Sequence, residues 1–435
     1  MEIISVRDYG AVGDGKTLDT KAFQRAVDQA VTMGTAKIIV PSGLYLLGSV
    51  FLDSNMVLEI QEGAVLLGSE NISDYPIINT RIAGIEMPWP AALLNVIDAE
   101  NVHIIGKGVI DGRGEKWWNE YWGADGKGGR RAEYDAKNLR WIADYEIQRP
   151  RLLLVQNSRH IKLSDFTARR SGFWTVQLTY DEDVTVSGLC IKDNAGPSTD
   201  GIDVDSCRNV HILRCDVACN DDDIVIKSGR DADGLRVNRP CEDVFIEHCT
   251  IRSGAGITIG SEVSGGISRI HIADCIFEGT DCGFRMKSSR LRGGYIRDIR
   301  VENLVMRDVQ FPFSWILDWH PAYNRFILPE DDADIPAYWR RVAAEVPESQ
   351  QFTRVEHIEI SHVRAASREG YEKPSRALDL RGAEQKPMQN IRFYDVRIDT
   401  AEFGAISAVQ DLRFENVVIS AAHGNTSEND TYDQR

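Results

Sequence analysis

The chain has 435 residues, is 43% hydrophobic and carries a formal net charge of −16. That acidity excludes a general binder of nucleic acid or of anionic membranes, which needs a basic face. No apolar run reaches the ~20 residues of a membrane span.

The N-terminus, Met1 to Gly10, has no charged region followed by a long apolar one, so no secretion signal is expected and a cytoplasmic location is. Asp8 to Lys16 reads D-Y-G-A-V-G-D-G-K, a turn-forming stretch. Phe23, Ala26, Val27, Ala30 and Val31 then recur at helical spacing, with Asp19 or Thr20 to start the helix and Gly34 to stop it, which predicts one helix over about 20–33. Beyond it the chain reads as short strands, and they repeat. Asn101-Val-His-Ile, His160-Ile-Lys-Leu, Asp183-Val-Thr-Val, Asn209-Val-His-Ile, Asp243-Val-Phe-Ile, Arg269-Ile-His-Ile, Asp298-Ile-Arg-Val, His357-Ile-Glu-Ile, Asn390-Ile-Arg-Phe and Asp411-Leu-Arg-Phe are variants of one unit. From Asp183 to Asp298 the units lie 26, 34, 26 and 29 residues apart, a solenoid period.

The leucine-rich frame L-x-x-L-x-L is missing. Single repeating strands therefore predict an all-β fold, a right-handed parallel β-helix, as one domain over 1–435. An open solenoid end exposes unpaired backbone and apolar core, so residues 1–35 are expected to cap the N-terminal end. Two loop insertions interrupt the period. Residues 113–150 carry Trp117, Trp118, Tyr121, Trp122, Arg130, Arg131 and Trp141; residues 318–352 carry Trp319, His320, Tyr323, Tyr338 and Trp339. Such loops fall on a solenoid's binding face, where their aromatics either stack on sugar rings or pack the rim. Residues 421–435 read as a flexible tail. The eight cysteines contain no C-x-x-C pair of the zinc-ribbon kind. Cys215, Cys249 and Cys275 each lie five residues after Val210, Val244 and Ile270, as an internal ladder of buried free thiols would.

Ser198 to Gly229 concentrates the chemistry, with Asp200, Asp203, Asp205, Asp221, Asp222 and Asp223 interleaved with apolar strands. Asp200 and Asp222 are 22 positions apart, close to one turn. Neighbouring strands lie ~4.8 Å apart, so these carboxylates converge. Converging carboxylates repel unless they share a proton, bind a metal, or work as acid and base. Turn formation accounts for Asp205 and Asp216 but not for three adjacent acids entering a strand. Alternation aims Asp223 away from Asp222, so it is expected to be structural. Arg285 and Lys287 share a strand face and suit a sugar carboxylate, and Arg290 and Arg292 extend that positive patch.

Four motifs in register, S-T-D at Ser198–Asp200, N-D-D at Asn220–Asp222, G-A-G at Gly254–Gly256 and R-M-K at Arg285–Lys287, resemble N-T-D, G-D-D, G-H-G and R-I-K of glycoside hydrolase family 28, the polygalacturonase family. I-D-G-R-G-E-K-W-W at Ile110–Trp118, R-P-R-L-L at Arg149–Leu153, G-F-W at Gly172–Trp174 and I-V-I-K-S-G at Ile224–Gly229 look like its bacterial members. The resemblance implies a parallel β-helix and inverting hydrolysis of galacturonic-acid linkages in a pectic substrate. Asp221 would be the acid, Asp200 with Asp222 the base, and Arg285 and Lys287 the substrate-binding pair, with no metal and no other cofactor. Ala255 replaces the family's histidine, so that role does not carry over and the specificity is open. The bulky insertions point to action from chain ends. The rival expectations are a rhamnogalacturonan-type galacturonidase, a calcium-dependent pectate lyase using the Asp cluster as oxygen ligands, and a non-catalytic carbohydrate-binding β-helix.

Overall fold

A computed structural model of the chain describes residues 2–329 and 335–421. Its geometry follows from the polar residue that opens each repeat. Asn101, His160, Asp183, Asn209, Asp243, Arg269, Asp298, His357, Asn390 and Asp411 all sit at φ between +51° and +58°. Asn and Asp tolerate this left-handed region because their short side chains bond locally. Each such residue bends the chain, and the apolar positions after it stack turn on turn. Val184, Val210, Val244, Ile270, Ile299, Ile358, Ile391 and Leu412 form one continuous register.

The result is a right-handed parallel β-helix. Two of its ladders merge in the last four long strands, Tyr295–Arg307, Arg354–Ala366, Met388–Thr400 and Val409–Ala421. The remaining ladder is an 11-stranded sheet running from Val50–Leu52 to Glu402–Ser407. Along it Ile202, Ile224, Ile257, Phe284, Phe313 and Leu378 stack inward, as do Val204, Ile226, Ile259, Met286, Trp315 and Leu380. Alternation turns Asp203, Val225, Thr258, Arg285, Ser314 and Asp379 outward in a row. That row is the floor of the site.

Helix α1 (Thr20–Met33) buries Ala22, Phe23, Ala26, Val27 and Ala30 in the main core. Val50–Leu52 is the terminal strand of the 11-stranded sheet, and α1 covers it. The Gln24 side-chain amide donates to Phe51 O (3.1 Å) and accepts from Phe51 N (3.1 Å), as a neighbouring strand would. Gln24→Ala leaves both groups of Phe51 unpaired and should cost about 1–3 kcal/mol in denaturant unfolding, with catalysis unaffected.

The helix content differs from the sequence reading. The 113–150 insertion is not plain loop; it holds α2 (Glu115–Trp122), α3 (Gly129–Ala136) and α4 (Arg140–Glu146). Further short helices follow at Asp231–Val237, Pro321–Asn324 and Ala337–Val342. Segments that leave the ladder lose its hydrogen-bond partners, and helices restore them locally. The insertion aromatics mostly pack: Trp117, Trp118, Tyr121 and Trp141 are buried. All eight cysteines are free, and Cys215, Cys249 and Cys275 are buried. Beyond Ala421 the expected tail lies outside the described residues. No described helix is long and apolar enough to cross a membrane.

Candidate active site

Ile202 pairs with Ile224, which sets Asp200 over Asp222 on successive turns. Asp200, Asp221 and Asp222 each bring one carboxylate oxygen within 4.8 Å of the others. Asp222 is 1% exposed and bonded at both oxygens, by Thr258 Oγ1 at 2.7 Å and Lys287 Nζ at 2.5 Å. Arg285 Nη1 lies 3.6 Å from Asp222 Oδ1. Burial works to raise the Asp222 pKa, but Lys287, then Arg285 and Lys227, reverse it and hold the group below its ordinary value. Asp221 is partly open to the cleft and accepts the Asp222 N–H at 3.0 Å. Burial first, and the Asp222 charge second, raise its pKa. Two adjacent carboxylates are thus pushed apart, one toward the ionised form and one toward the protonated form.

Asp223 is turned away under the strand. It accepts Gly256 N at 2.9 Å and the Cys219 thiol at 3.3 Å. Arg285 and Lys287 do share a face, but both lie against Asp222. Arg292 does not extend a surface patch: it is fully buried, donating to Asp231 at 2.5 Å and to Asn324 at 2.7 Å.

Three further groups complete the site: the sequence reading gave no role to Lys227 or Arg149, and of the third, a wall, it expected the insertions but not the hairpin. Lys227 closes the apolar strand Ile224–Lys227 and is buried. Its Nζ lies 3.2 Å from Asp200, 3.1 Å from Asp203 and 3.7 Å from Glu262, and 4.2 Å from the Trp174 ring centroid. Burial raises the Asp200 pKa well above the carboxylate range despite Lys227. Arg149 is sandwiched between Tyr121 and Phe173, and its Nη1 donates to Pro197 O at 2.5 Å, which fixes the loop leading to Asp200. A buried lysine ending an apolar strand is itself a signal, because such a group needs counter-charges.

The third group is a wall. An antiparallel hairpin, Ile77–Ile82 with Ile85–Pro90, lies across the outward face of the 11-stranded ladder. Arg81 meets Asp205 at 2.9 Å, and Gln177 Nε2 donates to Arg81 O at 3.0 Å. Ile82, Ile85 and Trp89 form a second core with Trp141 and Tyr145 of α4, with Phe173 and Trp174, and with Val342 of the second insertion. Arg230 ties the parts together. Its backbone N–H donates to Gly84 O (3.0 Å), Nη1 to Tyr145 Oη (2.8 Å) and Nη2 to Tyr323 O (2.9 Å). This wall stands beside the three aspartates, with Ala83, Arg140, Asp144 and Tyr323 lining the same cavity as Asp200, Asp221 and Asp222. The cavity left beside the aspartates is about 90 Å³, smaller than the roughly 300–1,000 Å³ of small-molecule pockets, and it opens to the cleft.

Three clustered carboxylates can geometrically hold a cation. Here two ammonium groups and a guanidinium already supply positive charge to them, so a divalent ion is not needed for their balance.

The sequence profile of Glycosyl hydrolases family 28 matches residues 33–318. The chain belongs to this family. A probable polygalacturonase of Vitis vinifera is 33% identical over 329 residues, covering 71% of this chain and 62% of the relative. An exo-poly-alpha-D-galacturonosidase of Dickeya chrysanthemi is 26% identical over 71% of this chain and 56% of the relative. The chain thus spans less than two thirds of the length of these two relatives. The crystal structure of a hyperthermoactive exopolygalacturonase from Thermotoga maritima superposes with a TM-score of 0.80 at 26% identity, covering 96% of this chain and 92% of that one. Within the family pattern, Ala255 places a methyl group where the resemblance calls for histidine, and its N–H donates to Asp221 O at 2.8 Å.

Proposed function

We propose that this chain hydrolyses galacturonic-acid linkages in pectic oligosaccharides and polysaccharides, working inward from a chain end. The observation that carries the reading is the position of the carboxylates beside a wall whose Ala83, Arg140 and Tyr323 line the same cavity. A polymer can enter from the open side only until its terminal sugar meets the wall of hairpin, α4 and second insertion. Asp221, its pKa raised by burial and by the Asp222 charge and its side chain open to the cleft, gives its proton to the leaving oxygen. Asp222, held ionised, takes a proton from the attacking water, with Asp200 as the second wall of the water site. Similarity to an exo-poly-alpha-D-galacturonosidase and to an exopolygalacturonase supports the substrate and the mode of attack.

Product analysis on homogalacturonan tests this. Monogalacturonate should appear from the first time points while viscosity falls slowly. Rapid viscosity loss with mid-length products overturns end-on attack, and an unsaturated, ultraviolet-absorbing product overturns hydrolysis. A rhamnogalacturonan oligosaccharide run in parallel should be the poorer substrate.

The profile of kcat against pH should be bell-shaped. Activity falls on the acid side as Asp222 takes up a proton and on the alkaline side as Asp221 loses its own. Lys287→Met removes the strongest group lowering the Asp222 pKa. The acid limb should then move to higher pH. An unmoved acid limb would exclude Asp222 as the base.

A further inference from the structure

The structure assigns a further role to Arg140: it takes the carboxylate of the terminal sugar at the wall of the cleft, so that the pocket demands a uronic acid there. This rests on the galacturonan reading above and names the group within it that selects the terminal residue.

Three side-chain cations line the cavity at the aspartates, Arg140, Lys227 and Lys287. Both lysines are committed. Lys227 serves Asp200, Asp203 and Glu262, and Lys287 holds Asp222. Arg285, on the neighbouring turn, also lies against Asp222. Arg140 stands on the opposite wall, at the start of α4, with its guanidinium 5.1 Å from the Tyr323 ring centroid. A guanidinium carries five N–H donors. Among the described residues Arg140 uses Nη1, which donates to Asp144 Oδ2 at 2.8 Å, while Nε is buried without a partner. The side chain is 17% exposed and lines the cavity, so donors not held by Asp144 can meet an acceptor that enters there.

Asp144 does not neutralise Arg140 alone. Its Oδ1 accepts the Tyr121 hydroxyl at 2.6 Å and lies 3.5 Å from Arg149 Nη2. Asp144 therefore aims the Arg140 fork while sharing its charge with a second guanidinium. A planar carboxylate can meet the remaining edge of the fork bidentately, which a hydroxymethyl group cannot. The wall that stops the polymer thus also reads the chemistry of its last sugar.

The test compares trigalacturonate with an analogue carrying galactose in place of galacturonate at the terminal position that enters the pocket. A charge-assisted hydrogen bond is worth roughly 10–100-fold, so wild-type kcat/KM should fall by about that factor on the analogue. In Arg140→Gln the two substrates should become equal to within a few-fold, with the loss confined to the galacturonate-terminated one. Arg140→Lys, which keeps charge but not the fork, should retain part of the preference. The ratio is internal to each variant, so partial loss of folded enzyme cancels. Equal wild-type rates on both substrates, or a preference surviving in Arg140→Gln, overturns the assignment while leaving the galacturonan reading standing. Failure of the wild type to cleave trigalacturonate overturns both.

Discussion

Asp221→Asn and Asp222→Asn should each lower kcat by about 10²–10⁴-fold, the usual worth of a positioned acid or base, and Asp200→Asn should lower it by disturbing the water held between them. Asp223→Asn should lower it far less. All four substitutions keep side-chain shape, so the contrast isolates proton chemistry. Asp221→Asn cannot deliver a proton to the leaving oxygen, and Asp222→Asn cannot accept one from water. Asp222→Asn also leaves Lys287 without its carboxylate at 2.5 Å, so some loss of stability should accompany the loss of rate. Asp223 is buried, and burial raises its pKa well above the ordinary value. Its contact with Gly256 N needs only an acceptor oxygen, which asparagine supplies. Steady-state kinetics with circular dichroism as a folding control would measure this. Near-normal turnover in Asp221→Asn would remove the proposed acid.

Lys227→Met should be the most destabilising single change in the site, at about 3–5 kcal/mol, because removing one partner of a buried ion cluster leaves uncompensated charge. Three buried carboxylates converge on this ammonium within 3.7 Å. Without it, the folded-state pKa values of Asp200 and Asp203, which burial already raises, rise further, while Glu262 keeps Arg292 and Arg230. A folded state that binds more protons than the unfolded one loses stability as pH rises. The gap in Tm between wild type and variant should therefore widen from below the ordinary carboxylate range toward neutral and alkaline pH. A gap that is constant with pH would mean that Lys227 acts by packing on Trp174 rather than by charge.

The convergence of Asp200 and Asp222 was legible because one turn spans 22 residues there and both residues immediately precede equivalent strands. The β-helix itself was legible because a polar residue, Asn, Asp or His in nine of the ten repeats and Arg269 in the other, opens each unit where the backbone turns left-handed. The part of the insertions in end-on action was legible, but the hairpin was not: Ile77–Ile82 reads I-I-N-T-R-I without alternation, and its contacts, such as Gly84 with Arg230, join distant positions. The insertion helices are 7 or 8 residues long, too short to be stable without the tertiary packing they receive. Trp117, Trp118 and Tyr121 nevertheless carried a helical spacing. Arg285 and Lys287 were placed on the right face, but sequence could not tell a sugar carboxylate from the Asp222 carboxylate as their nearest partner.

The resemblance implies inversion, whereas the carboxylate oxygens lie within 4.8 Å, closer than the ~6.5–9.5 Å usual for inverting enzymes. Thr258 and Lys287 each take one acceptor site of Asp222 and leave it others, so its bonding fixes its position and still lets it take a proton from water. The stereochemistry is therefore the measurement that decides. The direct test is proton NMR of the first product released from an α-linked oligogalacturonate, recorded before mutarotation and in the presence of chelator. The three-aspartate, metal-free hydrolysis predicts the β anomer at an undiminished rate. An α anomer, or loss of activity to the chelator, would contradict it.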